Sequence, residues 1–185
     1  MSALKFLFFL LSTVALDAKP IVVSANTILS DFVRVVGGDY VEGVCLLTPG
    51  MDPHSFEPRP ADIRKVARAQ LVVVNGLGLE GWLTKLVQNS GFVGPVITAS
   101  DGVDIIHWGQ SENSVAGNLA TAEADPHAWH DPKQVRHYVE NIRDALARLD
   151  PDHAAAFAQN TAGYLVQLNA ANLVERPGPL SPRRL

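Results

Sequence analysis

The sequence predicts an α/β fold in which a four-stranded parallel sheet is flanked by helices. Short apolar runs alternate along the chain with segments whose apolar residues recur at helical spacing, which is the pattern of strands joined by helical crossovers. Residues 71–74 read Leu-Val-Val-Val, and a run without polar positions is typical of a strand buried on both faces of a sheet. The chain has 185 residues, 47% of them hydrophobic, so it can bury one core.

The first part of the chain contains three of the predicted strands, at residues 21–25, 41–47 and 71–74. A helix is expected over residues 28–36, because its apolar positions repeat at helical spacing and Gly37-Gly38 ends it. A second helix is expected to begin at Pro60, since proline is favoured at the first helical position.

The second part contains the fourth strand, at residues 95–99, preceded by a turn at residues 75–78 and an expected helix over residues 80–88. Residues 109–124 are polar and without periodicity, as in a functional or disordered loop. Asp131-Pro132 supplies an N-cap and a first helical residue. The apolar face of the helix that follows is expected to comprise Val135, Val139, Ile142, Leu146 and Leu149. A last helix is expected from Pro151 to about residue 175.

Residues 1–18 are predicted to be a secretory signal peptide. Lys5 supplies the positive charge, a short apolar stretch follows, and Ala18 offers a cleavage point. The stretch is too short for a comfortable membrane span. Cys45 is the only cysteine; it is expected to be a buried apolar residue, and it lies too far from the signal to carry a lipid. These features favour a soluble exported protein over a lipid-anchored one.

Two copies of the tripeptide Asp-Pro-His indicate a metal site. They lie at Asp52-Pro53-His54 and Asp125-Pro126-His127, each where a strand is expected to lead into a helix. Proline restricts its own φ and the conformation of the residue before it, so the histidine is presented from a stiff loop. Neutral imidazole is the commonest side-chain ligand for zinc-like metals, and a nearby carboxylate can set its tautomer. We therefore predict His54 and His127 as metal ligands; the alternative is two loops that use aspartate as a cap and carry incidental histidines.

Three motifs together resemble the zinc- and manganese-binding periplasmic solute-binding proteins of metal ABC transporters, the ZnuA/TroA-like family. They are Gly50-Met51-Asp52-Pro53-His54-Ser55-Phe56-Glu57-Pro58, Asn75-Gly76-Leu77-Gly78-Leu79-Glu80, and Asp125-Pro126-His127-Ala128-Trp129-His130-Asp131-Pro132. The resemblance implies a two-lobed α/β protein with a metal in the cleft between the lobes. It assigns His54 and His127 to the N-terminal lobe as ligands and places the remaining ligands in a C-terminal lobe beyond the end of this chain.

The resemblance also implies a division of the chain. Residues 1–18 are the expected signal peptide, residues 19–149 the N-terminal metal-binding lobe, and residues 150–175 part of a long inter-lobe helix. Residues 176–185 are rich in proline and arginine and match neither element. We interpret this tail as aberrant, the product of a frameshift or another truncation, with the second lobe absent.

The function expected from these features is capture of Zn²⁺ or Mn²⁺ outside the cytoplasmic membrane and delivery to the membrane permease of an ABC transporter. The protein is expected to be a periplasmic or extracellular monomer and not an enzyme. Nucleic acid is excluded as a partner by the net charge of −4 and the lack of a basic stripe. Residues 109–124 lack the His-rich stretch often found in zinc-specific members, so both metals stay open, with zinc slightly preferred. The alternatives are a non-functional truncated fragment and a secreted metallohydrolase, although the chain has no His-Glu-x-x-His motif.

Two further residues are candidates for assisting at the metal. His130 follows His127 at i, i+3 spacing, and Glu57 follows the first motif. A solvated position is the preferred interpretation for His130, and a capping or surface role for Glu57. The other histidines, at positions 107, 137 and 153, are interpreted as surface or core residues.

Overall fold

The computed structural model describes residues 18–107 and 124–174, with side chains up to residue 170. The predicted signal peptide up to residue 17, nearly all of the polar loop at 109–124 and the tail at 176–185 lie outside the described residues. No helix of the described parts is both long and apolar enough to cross a membrane.

A four-stranded parallel sheet forms the centre of the part of the chain that the structure describes, which confirms the predicted fold class. Its strands are β1 (Ile21–Ser24), β2 (Glu42–Cys45), β3 (Leu71–Val74) and β4 (Val96–Thr98), in the order β2-β1-β3-β4. All four residues of β3 are buried, as the apolar run predicts for a central strand. The connection from β1 to β2 runs towards one edge of the sheet, whereas the connection from β2 to β3 passes β1 and runs towards the other edge. Ligands of open α/β sheets bind at the carboxyl ends of the strands near such a reversal.

In the described residues, five α-helices accompany the sheet: α1 (Thr27–Gly37), α2 (Pro60–Ala67), α3 (Leu83–Ser90), α4 (Pro132–Leu149) and α5 (Ala154–Val174). Helices α1, α4 and α5 pack together, and α2 packs against α3. Right-handed crossovers place these two groups on opposite faces of the sheet. Between α1 and α4, the ring of Phe32 meets that of Tyr138 edge-on, with centroids 5.9 Å apart. The buried core is therefore built from both faces of β1 and β3 and from the inner faces of these helices.

Three predictions about local structure are wrong. The last helix begins at Ala154 rather than at Pro151, because Pro151–His153 form a turn of 3-10 helix. Helix α3 begins at Leu83 rather than at residue 80, because the Glu80 carboxylate folds back and accepts hydrogen bonds from the backbone N–H groups of Asn75 and Gly76. Cys45 is half-buried rather than buried, because β2 lies at the edge of the sheet. The partial burial raises the pKa of the Cys45 thiol.

The N-terminus of α4 confirms the predicted cap. The Asp131 carboxylate accepts a hydrogen bond from the backbone N–H of Lys133 at 2.9 Å, and Pro132 is the first helical residue. The predicted apolar face is buried at four positions and half-buried at Leu149, and Tyr138 joins it as a buried residue that the spacing did not include.

We expect Asp131→Ala to lower the free energy of unfolding by about 1 kcal/mol, because the substitution leaves a helix-terminal N–H without its acceptor. Urea unfolding measures the difference. Asp131→Asn is the matched control, since asparagine caps a helix about as well as aspartate and should lose much less. Equal losses in the two variants would contradict the capping role.

Candidate metal centre

The two Asp-Pro-His motifs meet in space. The first lies in the loop that follows β2, and the second lies shortly before α4. The ring centroids of His54 and His127 are 5.6 Å apart, with their planes inclined by 54°. The predicted proximity of the two imidazoles is thereby confirmed, whereas their role as metal ligands stays a prediction.

The aspartate of each motif stabilises its own loop in the same way. Asp52 Oδ1 accepts from the backbone N–H of His54 at 2.9 Å, and Asp125 Oδ1 accepts from that of His127 at 3.0 Å. These hydrogen bonds are the main reason that the pKa of each carboxyl lies below its usual range. Both aspartates are consequently ionised acceptors at neutral pH.

The imidazole of His127 is additionally oriented by its aspartate. His127 Nδ1 lies 2.7 Å from Asp125 Oδ1. An ionised carboxylate can only accept, so Nδ1 carries the ring proton and the lone pair of Nε2 is left for a metal. In the first motif the second side-chain partner of the aspartate is different, since Asp52 Oδ2 accepts from the hydroxyl of Ser55 at 2.8 Å. Each aspartate thus holds the backbone of its own histidine, and Asp125 additionally contacts the ring of His127.

Both histidines line one hollow, which we call the histidine hollow. Its other lining residues come from the loop after β1, the first turn of α1 and the loop after β2, together with Trp129. His54 is exposed and His127 is half-buried, so both rings can be reached by an ion. The ring of Trp129 meets that of His127 edge-on, with centroids 5.1 Å apart, and forms part of the wall of the hollow.

His130 and Glu57, the two candidates for assisting at the metal, occupy different places. His130 is exposed and its ring centroid lies 6.3 Å from that of His127. It is not among the residues that line the histidine hollow, and it shares with His127 a neighbouring depression that Asp104 and Gln134 also line. Glu57 lines a separate depression with Trp82 and Lys85. Across residues 18–107 and 124–174, no group of three or more His, Cys, Asp or Glu side chains could hold a metal ion. His54 and His127 are therefore the pair of predicted ligands that this part of the chain brings together.

Sequence reasoning missed the residues that link the two motifs. Asn75, at the end of β3, is fully buried, and its Nδ2 donates to the carbonyl of Pro126 at 2.9 Å. Its Oδ1 accepts from the Tyr138 hydroxyl at 3.0 Å. Trp82 Nε1 donates to the carbonyl of Pro53 at 2.8 Å. The sequence signal for the Asn75 contacts was the Asn-Gly-Leu-Gly-Leu-Glu motif, whose role could not be inferred from its residues, and no motif pointed to Trp82 or Tyr138.

Glu80, the last residue of that motif, is a buried carboxylate beside the site. It is 9% exposed and accepts from the backbone N–H of Asn75 at 2.8 Å and from that of Gly76 at 3.1 Å. Burial raises the pKa of Glu80, and the two backbone donors and the nearby His54 partly offset that effect. Glu80 therefore holds the turn after β3 from within the protein.

The fold and the paired motifs have counterparts among known proteins. The family described as zinc-uptake complex component A, periplasmic (ZnuA), matches residues 22–173. The chain belongs to the ZnuA family. The resemblance found in the three motifs is thereby confirmed, and so is the expectation that the protein is not an enzyme, because the ZnuA family is one of solute-binding proteins of ABC transporters.

Individual relatives and solved structures show the extent of the similarity. The chain is 35% identical over 161 residues to the metal ABC transporter substrate-binding lipoprotein SsaB of Streptococcus sanguinis, covering 83% of this chain and 50% of the relative. It is 37% identical over 147 residues to the manganese-binding lipoprotein MntA of Halalkalibacterium halodurans, covering 80% and 45%. The structure of the Mn-bound periplasmic metal binding protein from Candidatus Liberibacter asiaticus superimposes with a TM-score of 0.74 at 31% identity, covering 84% and 55%. The chain spans about half the length of the curated relatives it matches.

Proposed function

We propose that this chain forms the N-terminal lobe of an extracytoplasmic solute-binding protein, which captures Zn²⁺ or Mn²⁺ and delivers it to the permease of a metal ABC transporter. The observation that carries the proposal is the pair of imidazoles 5.6 Å apart at the carboxyl edge of the sheet, one of them with its tautomer set by Asp125. Membership of the ZnuA family supports it.

In the proposed mechanism His127 and His54 each give one imidazole nitrogen to the ion. A metal of this class takes at least four donors, so water or side chains of a second lobe complete the coordination. Release to the permease then requires loss of those additional ligands rather than any chemical step. Acid should oppose capture, because protons compete with the metal for the ring nitrogens.

Zinc is the metal that we propose this lobe prefers. Imidazole suits Zn²⁺, whereas Mn²⁺ favours oxygen ligands, and affinity for a given site generally rises from manganese to zinc. Because the two predicted ligands that meet here are both imidazoles, the lobe alone favours zinc. A second lobe rich in oxygen ligands would shift the balance towards manganese.

We also propose that the protein acts as a monomer in the periplasm or outside the cell, after removal of residues 1–18. The relatives that it resembles are substrate-binding lipoproteins, while the single cysteine of this chain lies at position 45, within β2. Mass spectrometry of the exported protein should show an N-terminus near Lys19, and an intact Met1 or Ser2 would contradict the proposal.

Isothermal titration with Zn²⁺ and with Mn²⁺ tests the proposed function. The chain should bind zinc at about micromolar affinity or more weakly, since it supplies two strong donors and the rest of the coordination comes from water. A version extended by the second lobe of a relative should bind far more tightly. Failure of both versions to take up either metal would contradict the proposal.

We expect Asp125→Ala to weaken zinc binding by about tenfold, because second-sphere partners of metal-bound histidine typically contribute at least that much. The variant removes the acceptor for both the backbone N–H and Nδ1 of His127. Asp150→Ala is the matched control, since Asp150 Oδ2 lies 2.7 Å from His153 Nδ1 at the junction of α4 and α5. An equal effect of the two substitutions on zinc affinity would rule out the orienting role of Asp125.

A further inference from the structure

One segment holds both histidine loops by equivalent atoms. In each Asp-Pro-His motif the carbonyl of the proline accepts a hydrogen bond from a side chain outside the motif. The donor is Trp82 Nε1 for Pro53, at 2.8 Å, and Asn75 Nδ2 for Pro126, at 2.9 Å. Both donors belong to residues 75–82, which we call the 75–82 turn. Because each bond is made directly before the histidine, the turn fixes the backbone from which each imidazole projects.

The 75–82 turn has a backbone that is itself tightly constrained. Gly76, Leu77 and Gly78 all have positive φ angles, of 84°, 53° and 81°. A leucine in this region is uncommon and unfavourable, so the surrounding structure must enforce it. The Glu80 carboxylate closes the turn by accepting from two backbone N–H groups at its start. A Cβ at Gly76 would also collide with Thr98 Cγ2, which shows that the turn lies directly against β4.

The two donor side chains are fixed as firmly as the backbone. Asn75 is fully buried, and its amide oxygen accepts from the hydroxyl of Tyr138 on α4, so the amide cannot rotate without losing that bond. The ring of Trp82 packs edge-on against Phe56, with centroids 4.8 Å apart. Each donor thus reaches its proline carbonyl from a position set by the core or by an aromatic neighbour.

We propose that the 75–82 turn is a positioning device that sets the separation of His54 and His127 and thereby the metal affinity of the lobe. Asn75 and Trp82 are positioning residues, since they act through the proline carbonyls and neither lines the histidine hollow. Because both loops are already ordered in the metal-free protein, metal binding loses less conformational entropy. This inference rests on the proposed function, because it takes His54 and His127 as ligands.

Trp82→Phe tests the proposal with the least disturbance, since phenylalanine keeps a ring beside Phe56 and removes the donor to Pro53. Titration with Zn²⁺ should show about three- to tenfold weaker binding, the range expected for one hydrogen bond. In the metal-free chain, the amide proton of His54 should exchange faster with solvent, while that of His127 should be unchanged. Asn160→Ala is the control, because it removes a comparable bond, from Asn160 Nδ2 to the carbonyl of Val36 at 3.0 Å, outside both loops.

The outcomes separate this inference from the proposed function. Unchanged zinc affinity in Trp82→Phe, alongside a loss in His54→Ala, overturns the positioning role and leaves the proposed function intact. If the His54 amide proton exchanges at the same rate in the metal-free wild type and in metal-free Trp82→Phe, the positioning role is overturned whatever the metal affinities are. Zinc binding that is insensitive to both His54→Ala and His127→Ala overturns the proposed function and the inference with it.

Discussion

His54→Ala and His127→Ala should each weaken zinc binding by at least about a hundredfold, which corresponds to about 2.8 kcal/mol. The two rings lie 5.6 Å apart, so the second imidazole acts as an intramolecular ligand once the first has bound. A second ligand held in the same molecule is present at a high effective concentration around the bound ion. Removing either ring loses this advantage and leaves the ion bound by a single histidine. Isothermal titration with Zn²⁺ on the wild type and both variants measures the effect.

His153→Ala is the control for this experiment. His153 is also paired with an aspartate, at 2.7 Å, but it follows the far end of α4 from His127. The helix has 18 residues, which at 1.5 Å per residue separates its ends by about 27 Å. His153→Ala should therefore bind zinc like the wild type. Unchanged binding in both His54→Ala and His127→Ala would show that these histidines are not the ligands, and nanomolar binding by the wild type would show that this lobe carries a complete site.

Asn75→Ala should lower the free energy of unfolding by about 3–5 kcal/mol, because it leaves several buried polar groups without partners. The lost side-chain amide donates to the carbonyl of Pro126 and accepts from the hydroxyl of Tyr138, and both of these residues are buried. Each unsatisfied buried group costs about 1–3 kcal/mol. Urea unfolding followed by circular dichroism measures the change.

Asn160→Ala again provides the comparison, since it removes one side-chain bond to a backbone carbonyl and should cost about 1 kcal/mol. If Asn75→Ala lowers the free energy of unfolding no more than Asn160→Ala does, the buried amide of Asn75 does not link the second motif to the sheet. The size of the expected loss also explains why Trp82→Phe, rather than a change at Asn75, is the better probe of the 75–82 turn.

Much of the fold could be predicted because its signals are local. The alternation of apolar runs and helical spacing predicted all four strands, and the run at residues 71–74 correctly predicted a central one. The cap at Asp131 was predicted from two adjacent residues. Predictions that depended on neighbours in space were less accurate: Cys45 is half-buried because β2 lies at an edge, and no feature of its own strand shows which strand takes that place.

The candidate site divides in the same way. The sequence by itself determined the two Asp-Pro-His motifs, the stiff presentation of their histidines and the family to which the chain belongs. Only the tertiary structure decided that the two rings meet and that Asn75 and Trp82 hold both loops. The physical reason is that caps and periodicity are properties of a few neighbouring residues, whereas these contacts join segments that become neighbours only through the order of the strands in the sheet.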